Sequence, residues 1–113
     1  MNMQPLVHID GRKLVDRNNL HEALSVAFGF PAWCGTGFDA WADCLTSLDA
    51  PTHGMTSVHA PPGGVVVLQI DNCKHLRNRR PDLLDRIAEL AAFVNWSKID
   101  VGEPAVIALA YRC

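Results

Sequence analysis

The spacing of apolar residues along the chain predicts strands that alternate with helices. Leu6 to Ile9 form a short apolar run that ends at the turn dipeptide Asp10-Gly11, which is typical of a first strand. Two runs that are apolar except at Gln69, Val65 to Ile70 and Ala105 to Ala110, are typical of strands that are covered on both faces. We therefore expect three strands, two of them buried on both sides.

Two helices are predicted between the first and second strands. Asn19 is a candidate N-cap, and the apolar positions from Leu20 to Phe28 recur with helical spacing until Gly29 stops the pattern. Thr36 and Asp39 have the spacing of a capping box that would open the second helix. The apolar residues of this second helix share one face: Phe38, Trp41 and Leu45.

A third helix is predicted before the last strand. Pro81 stands at a first helical position, the apolar pattern extends from Leu83 to Val94, and Asp82 and Arg86 are spaced as an i,i+4 ion pair. The order of elements predicts an α/β fold, a small three-layer α/β/α sandwich around a three-stranded parallel sheet. The polar stretch from residue 49 to 64, rich in Pro and Gly, predicts a long, mobile loop.

Composition narrows the class of protein. With 113 residues, of which 49% are hydrophobic and 19% charged, the chain is expected to form one domain over residues 1–113. No run is long and apolar enough for a membrane span, and the N-terminus lacks signal-peptide features, so we expect a cytoplasmic protein without membrane contact. The four cysteines have no framework spacing and are expected to be reduced, and the free protein is expected to be a monomer.

The charges are segregated along the chain, although the formal net charge is only −2. No Lys or Arg occurs between Arg17 and Lys74, and that interval contains five acids: Glu22, Asp39, Asp43, Asp49 and Asp71. An acidic region of this kind favours a cationic partner. A basic run, Lys74 to Arg80, leaves RNA binding open as a third hypothesis, but the solvated face of a loop or helix explains it better. We expect no direct contact with nucleic acid.

No arrangement of residues predicts catalysis. Trp33-Cys34-Gly35 lacks the second thiol of a thioredoxin-type site because position 37 is Gly37, and no histidine is spaced as a partner for Cys34. Only an unusually acidic, reactive Cys34 would revive an enzyme hypothesis. Cys73 and His75 lack the second ligand pair of a metal site. We expect a protein that is not an enzyme and that has no metal and no cofactor.

Two carboxylates on the predicted second helix are the most informative residues. Asp39 and Asp43 share a face at i,i+4 and repel each other by roughly 0.2 to 0.5 kcal/mol. Asp39 has a structural explanation near a helix N-terminus, whereas Asp43 has no basic residue three or four positions away. Trp33, just before the helix, suits either a core or an interface anchor. The pair indicates a surface that binds cations.

The segment from Phe30 to Thr46, FPAWCGTGFDAWADCLT, resembles the loop and second helix of the barstar family of intracellular ribonuclease inhibitors. Its signature is an aromatic residue, a Gly, and then Asp-Ala-x-x-Asp-Cys-Leu. The order of predicted elements is similar to that family over nearly the whole chain. The resemblance implies that Asp43 mimics the substrate phosphate in the active site of a ribonuclease, with Asp39 as a second interface acid and Trp33 as a packing anchor. It also implies that Cys44 is buried.

The resemblance thus implies an inhibitor of a basic ribonuclease or nuclease toxin that acts by occluding its active site. The predicted partner-binding residues are Trp33, Gly35, Gly37, Asp39, Ala42, Asp43, Thr46 and Asp82, the last of which would supply the acid of the family's later helix. The chain departs from the family pattern at four anchor positions: Cys34, Gly37, Ala42 and Leu48. These departures change the expected identity of the target enzyme more than they change the expected fold. The alternative is an interaction module of the same fold that binds another basic protein.

Overall fold

Three strands and four α-helices alternate along residues 4–113, the part of the chain that this computed structural model describes. They are β1 (Leu6–Asp10), α1 (Arg17–Phe28), α2 (Phe38–Leu45), β2 (Val66–Asp71), α3 (Cys73–Arg79), α4 (Pro81–Asp100) and β3 (Ile107–Arg112). Two 3-10 helices cover Gly11–Lys13 and Pro51–His53. No helix within residues 4–113 has both the length and the apolar character that a membrane crossing requires.

The strands form one sheet in the order β1-β2-β3, and both neighbouring pairs are parallel. Leu6 lies opposite Val67, and Val67 lies opposite Ala108. The predicted α/β class and the predicted three-stranded parallel sheet are confirmed. The last strand begins later than the apolar run predicts, at Ile107, and continues to Arg112.

The two faces of the sheet differ in burial. In β2, Val66, Leu68 and Ile70 are fully buried, whereas the alternate residues Val67 and Gln69 are partly exposed. The buried face belongs to a single hydrophobic cluster that includes core residues of α1, α2 and α4. The helices therefore pack against this face, and the opposite face of the described sheet is only partly covered, so the expected burial of the strands on both sides is incomplete. The apolar runs suggested more cover because most of their outer positions are also apolar, namely Val67 in β2 and Ala108 and Ala110 in β3.

The predicted starts of α1 and α2 change by a few residues, whereas α4 begins at Pro81 as predicted. Asp16, not Asn19, caps α1, because Asp16 Oδ1 accepts a 2.9 Å hydrogen bond from the backbone N–H of Asn19. The predicted capping box at Thr36 is wrong, because α2 begins at Phe38 with Gly37 as its N-cap and without a side-chain cap. Gly29 ends α1 as predicted, in the left-handed conformation that favours glycine.

The segment between α2 and β2 is tied to the core, in contrast to the mobile loop that its composition predicted. The backbone N–H of Ser57 donates to the carbonyl of Phe28 at 2.9 Å, and that of Ala60 donates to the carbonyl of Leu48 at 2.8 Å. Thr56 is buried. These contacts hold the segment against the C-terminal ends of α1 and α2.

Candidate functional site

Helix α2 buries one face and presents two carboxylates on the other. Trp41 and Leu45 are fully buried, whereas Asp39 and Asp43 are exposed. Neither carboxylate forms an ion pair with any residue of 4–113. The two acids thus share one exposed helix face, as their spacing predicts, and their charges are free to meet an external cation.

The buried face of α2 is anchored to α1 through Trp41. The indole Nε1 of Trp41 donates a 2.9 Å hydrogen bond to Nδ1 of His21, and the two rings stack with centroids 6.1 Å apart. A buried indole N–H needs such a partner. Because Trp41 lies between Asp39 and Asp43 in sequence, this contact fixes the helix segment that carries both acids.

The N-terminal end of α2 packs against α4. The ring of Phe38 lies edge-on to the ring of Phe93, with centroids 5.8 Å apart, and the guanidinium carbon of Arg86 lies 4.9 Å from the centroid of Phe38. Arg86 pairs with Glu89, and so the predicted pair between Asp82 and Arg86 is wrong. The contact between Arg86 and Phe38 has no local signal along the chain, because the two residues belong to different helices.

The C-terminal end of α2 is held by a buried cation. Lys98 Nζ donates to the backbone carbonyl of Thr46 at 3.2 Å and to Asp49 Oδ1 at 2.9 Å, and it also pairs with Glu103. Burial alone would lower the pKa of Lys98, but its hydrogen bonds to Glu103 and Asp49 raise it overall. Lys98 therefore stays charged, and its positive charge interacts favourably with the negative end of the α2 dipole.

The loop before α2 approaches the helix closely. A Cβ on Gly35 would lie 3.0 Å from Cβ of Ala40, so a side chain at position 35 would push the loop away from α2. Trp33 is 71% exposed, which excludes a core role and leaves its ring free to contact a partner. The hydroxyl of Thr46 donates to the backbone carbonyl of Asp43 at 2.9 Å.

The structure brings together most of the predicted site residues and separates two from the rest. Six of them lie on the loop before α2, on α2 itself or directly after it, and are exposed or partly exposed: Trp33, Gly35, Gly37, Asp39, Asp43 and Thr46. Ala42 does not fit this surface, because it is 2% exposed and belongs to the hydrophobic core, next to the buried Trp41.

Asp82 lies in the first turn of α4, where Arg80 holds it in a bidentate pair with distances of 3.0 and 2.8 Å. The hydrogen bond from Arg80 lowers the pKa of Asp82. Asp82 is therefore ionised but already paired, unlike Asp39 and Asp43. A role for Asp82 in binding stays a prediction.

Comparison with known protein families gives a match over nearly the whole chain. A family model described as Barstar (barnase inhibitor) matches residues 4–106. The matched range includes the loop, α2 and Asp82. A search of curated proteins gives no match.

Proposed function

Because the chain belongs to the barstar family, we propose that it inhibits a barnase-like ribonuclease by filling the enzyme's phosphate-binding site with acidic side chains. The observation that carries this proposal is the exposed pair of carboxylates, Asp39 and Asp43, which have no ion-pair partner within residues 4–113. Asp43 is the proposed phosphate mimic, and Asp39 is the supporting acid.

The energetics of the pair favour an external cationic partner. Two like charges at i,i+4 destabilise an isolated helix by roughly 0.2 to 0.5 kcal/mol. A ribonuclease active site presents donors that are already arranged to bind phosphate oxygens, and a carboxylate on a rigid helix makes charge-assisted hydrogen bonds with them. The core anchors of α2, Trp41 and Leu45, keep the carboxylates in place before binding, which reduces the entropy cost of association.

Trp33 is the proposed apolar anchor beside the acids. Its exposed ring offers a large contact area at a small cost in side-chain entropy, which is typical of interface hot spots. Gly35, Gly37 and Thr46 are proposed to form the rim, where small residues let the enzyme approach the backbone. Asp82 joins the interface only together with Arg80, since the two are paired in the free protein.

The proposed inhibitor acts as a monomer, as a protein without catalytic activity of its own. It binds in the cytoplasm, the compartment in which a ribonuclease would endanger the cell that makes it. No cofactor and no nucleic acid take part in the proposed mechanism.

The test is inhibition of RNA cleavage by a panel of barnase-like ribonucleases and nuclease toxins. The proteins to compare are the wild type, Asp43→Ala, Asp43→Asn and the charge-matched control Asp100→Ala, which removes an exposed acid from the end of α4. We expect stoichiometric inhibition by the wild type and by Asp100→Ala. Both Asp43 variants are expected to lose about a hundredfold or more in affinity, because they leave buried cations of the enzyme unpaired. Equal affinities of Asp43→Ala and Asp100→Ala would exclude Asp43 from the mechanism.

A second candidate function is that of an interaction module that binds another protein, and exposed apolar residues on α4 favour a docking surface away from Asp43. Phe93 is 44% exposed, Trp96 is 60% exposed, and their ring centroids lie 6.1 Å apart. A partner that docks on these rings has no need of Asp43. In that case Trp96→Ala weakens binding while Asp43→Ala leaves it unchanged.

A further inference from the structure

Two cysteines from different elements meet beside the acidic face of α2. The Sγ atoms of Cys34, in the loop before the helix, and Cys44, within the helix, lie 3.0 Å apart, although ten positions separate the residues along the chain. Both residues are free thiols. Cys34 follows Trp33 along the chain and Cys44 follows Asp43, so the sulfur contact joins the two segments that carry the proposed anchors.

The local structure holds the two sulfurs in this position. The backbone N–H of Cys34 donates to the carbonyl of Pro31 at 2.9 Å, which makes the loop turn toward the helix. Its Sγ also lies 3.8 Å from the carbonyl of Ala40. Cys44 is 2% exposed and is fixed by the helix and the core. A disulfide has an S–S length of about 2.05 Å, so the sulfurs need to approach by only about 1 Å to form one.

The two thiols differ in exposure and in pKa, so we expect an oxidant to react with Cys34 before Cys44 takes part. Burial raises the pKa of Cys44 to about 12, and the hydrogen bond with Cys34 adds to the shift. Cys34 is partly exposed, so an oxidant in solution reaches it first. This is the usual arrangement of an accessible attacking thiol with a second thiol next to it.

We propose that Cys34 and Cys44 are an oxidation site, at which a reversible disulfide fixes the Trp33 loop onto α2. The proposal goes beyond the proposed function, since it depends on the fold and not on the partner. The contact distance implies that the disulfide leaves the positions of Trp33, Asp39 and Asp43 almost unchanged while it removes the freedom of the loop.

The oxidant is a low-molecular-weight disulfide such as glutathione disulfide. The thiolate of Cys34 attacks one sulfur of the oxidant, the sulfur–sulfur bond of the oxidant breaks, and one glutathione leaves as a thiol after it takes up a proton. Cys44 then gives up its proton and attacks Sγ of Cys34, which displaces the second glutathione. In total the two cysteines lose two electrons and two protons, and the oxidant becomes two thiols. An excess of thiol reverses the reaction.

The test is an equilibrium measurement in mixtures of oxidised and reduced glutathione. Cys113→Ser serves as the background, because Cys113 is exposed and contacts Cys73, and its removal leaves Cys34, Cys44 and the buried Cys73. After acid quenching and alkylation, peptide mapping by mass spectrometry identifies the bonded pair in native buffer and in denaturing urea. Cys34→Ser on the same background is the control.

We expect the equilibrium constant for forming the Cys34–Cys44 disulfide with glutathione to be larger in the native state than in urea by about tenfold or more. The reason is that a cross-link that fits the native structure stabilises the fold. The melting temperature of the oxidised form should rise by several degrees, at most about 12 °C, and the Cys34→Ser control should show neither effect. A ratio near one, or a bond that involves Cys73 instead, would overturn the proposal. Since no ribonuclease enters this experiment, its failure is distinct from a failure of the proposed inhibitor role.

Discussion

Asn72 and Asp10 join the carboxyl ends of β2 and β1 through a side-chain hydrogen bond, in which Nδ2 of Asn72 donates to Oδ1 of Asp10 at 2.9 Å. The same carboxylate oxygen accepts the backbone N–H of Arg12 at 3.0 Å. The bond from Asn72 is the largest cause that lowers the pKa of Asp10 from 3.8 to about 2, and the bond from Arg12 follows. This end of the sheet is therefore stabilised by an ionised carboxylate.

This shift predicts a pH-dependent loss of stability in Asp10→Asn. The folded state binds a proton at Asp10 less readily than the unfolded state, so the contribution is complete above the unfolded pKa of 3.8 and is lost as the pH falls from there through about 2. At neutral pH it amounts to at most about 2 kcal/mol. Urea unfolding of both proteins between acidic and neutral pH should show a difference that shrinks toward the acid end. A difference that stays constant with pH would contradict this assignment.

The hydrogen bond between Trp41 and His21 predicts that His21→Ala is destabilised. Trp41 is 2% exposed, so the variant leaves a buried indole N–H without a partner. We expect a loss of about 1 to 3 kcal/mol in the free energy of unfolding, measured in urea. The variant Trp41→Phe, made on the His21→Ala background, is the control, because it removes the unpaired donor as well. The hydrogen-bond assignment fails if His21→Ala is as stable as the wild type.

The buried cation at the C-terminal end of α2 predicts that Lys98→Met lowers the free energy of unfolding more than the loss of an exposed cation does. The substitution keeps the apolar stem of the side chain and removes the bonds to the carbonyl of Thr46 and to Asp49 and Glu103. Asp49 and Glu103 are partly exposed and regain water, so we expect a loss of about 2 to 3 kcal/mol, below the range for a fully buried pair.

Arg86→Met, on the same helix, is the comparison for Lys98→Met. The ion pair of Arg86 with Glu89 is exposed and contributes little, and its contact with the ring of Phe38 contributes about 0.5 to 1 kcal/mol, less than the loss expected for Lys98→Met. Unfolding by urea should therefore show a clearly smaller loss for Arg86→Met. Equal losses would mean that the contacts of Lys98 do not stabilise the end of α2.

Local periodicity predicted most of the architecture. The three strands, α1, α2 and α4 follow from apolar spacing, and Gly29 ends α1 because a left-handed residue there favours glycine. The capping of α1 by Asp16 was missed because the cap depends on where the chain turns into the helix, which propensity does not determine. The segment from residue 49 to 64 was predicted as a mobile loop because its composition gives no sign of the hydrogen bonds that tie Ser57 to Phe28 and Ala60 to Leu48, which form only in the folded state.

The candidate site was predictable in part, because helical spacing alone places some of its residues. Asp39 and Asp43 share a face of α2 by helical spacing alone, and the structure keeps both exposed. Ala42 follows the buried Trp41 and precedes Leu45 by three positions, so the same spacing could have assigned it to the core. The contact between Cys34 and Cys44 has no local signal, because it depends on how the loop folds back over the helix.

The last prediction separates the two candidate binding surfaces by their exposed tryptophans. Trp33 is 71% exposed and Trp96 is 60% exposed, so replacement of either by Ala should change the free energy of unfolding by no more than about 0.5 kcal/mol. If the enzyme docks on the acidic face of α2, Trp33→Ala should weaken binding by about 30-fold or more, mainly through faster dissociation, because a central aromatic anchor loses its contacts. Trp96→Ala should then leave binding within about twofold of the wild type, which is typical of residues outside the energetic centre of an interface. Surface plasmon resonance against the inhibited ribonuclease measures both rates. The reverse order of effects would place the partner on α4 and would favour the interaction-module function over occlusion by Asp43.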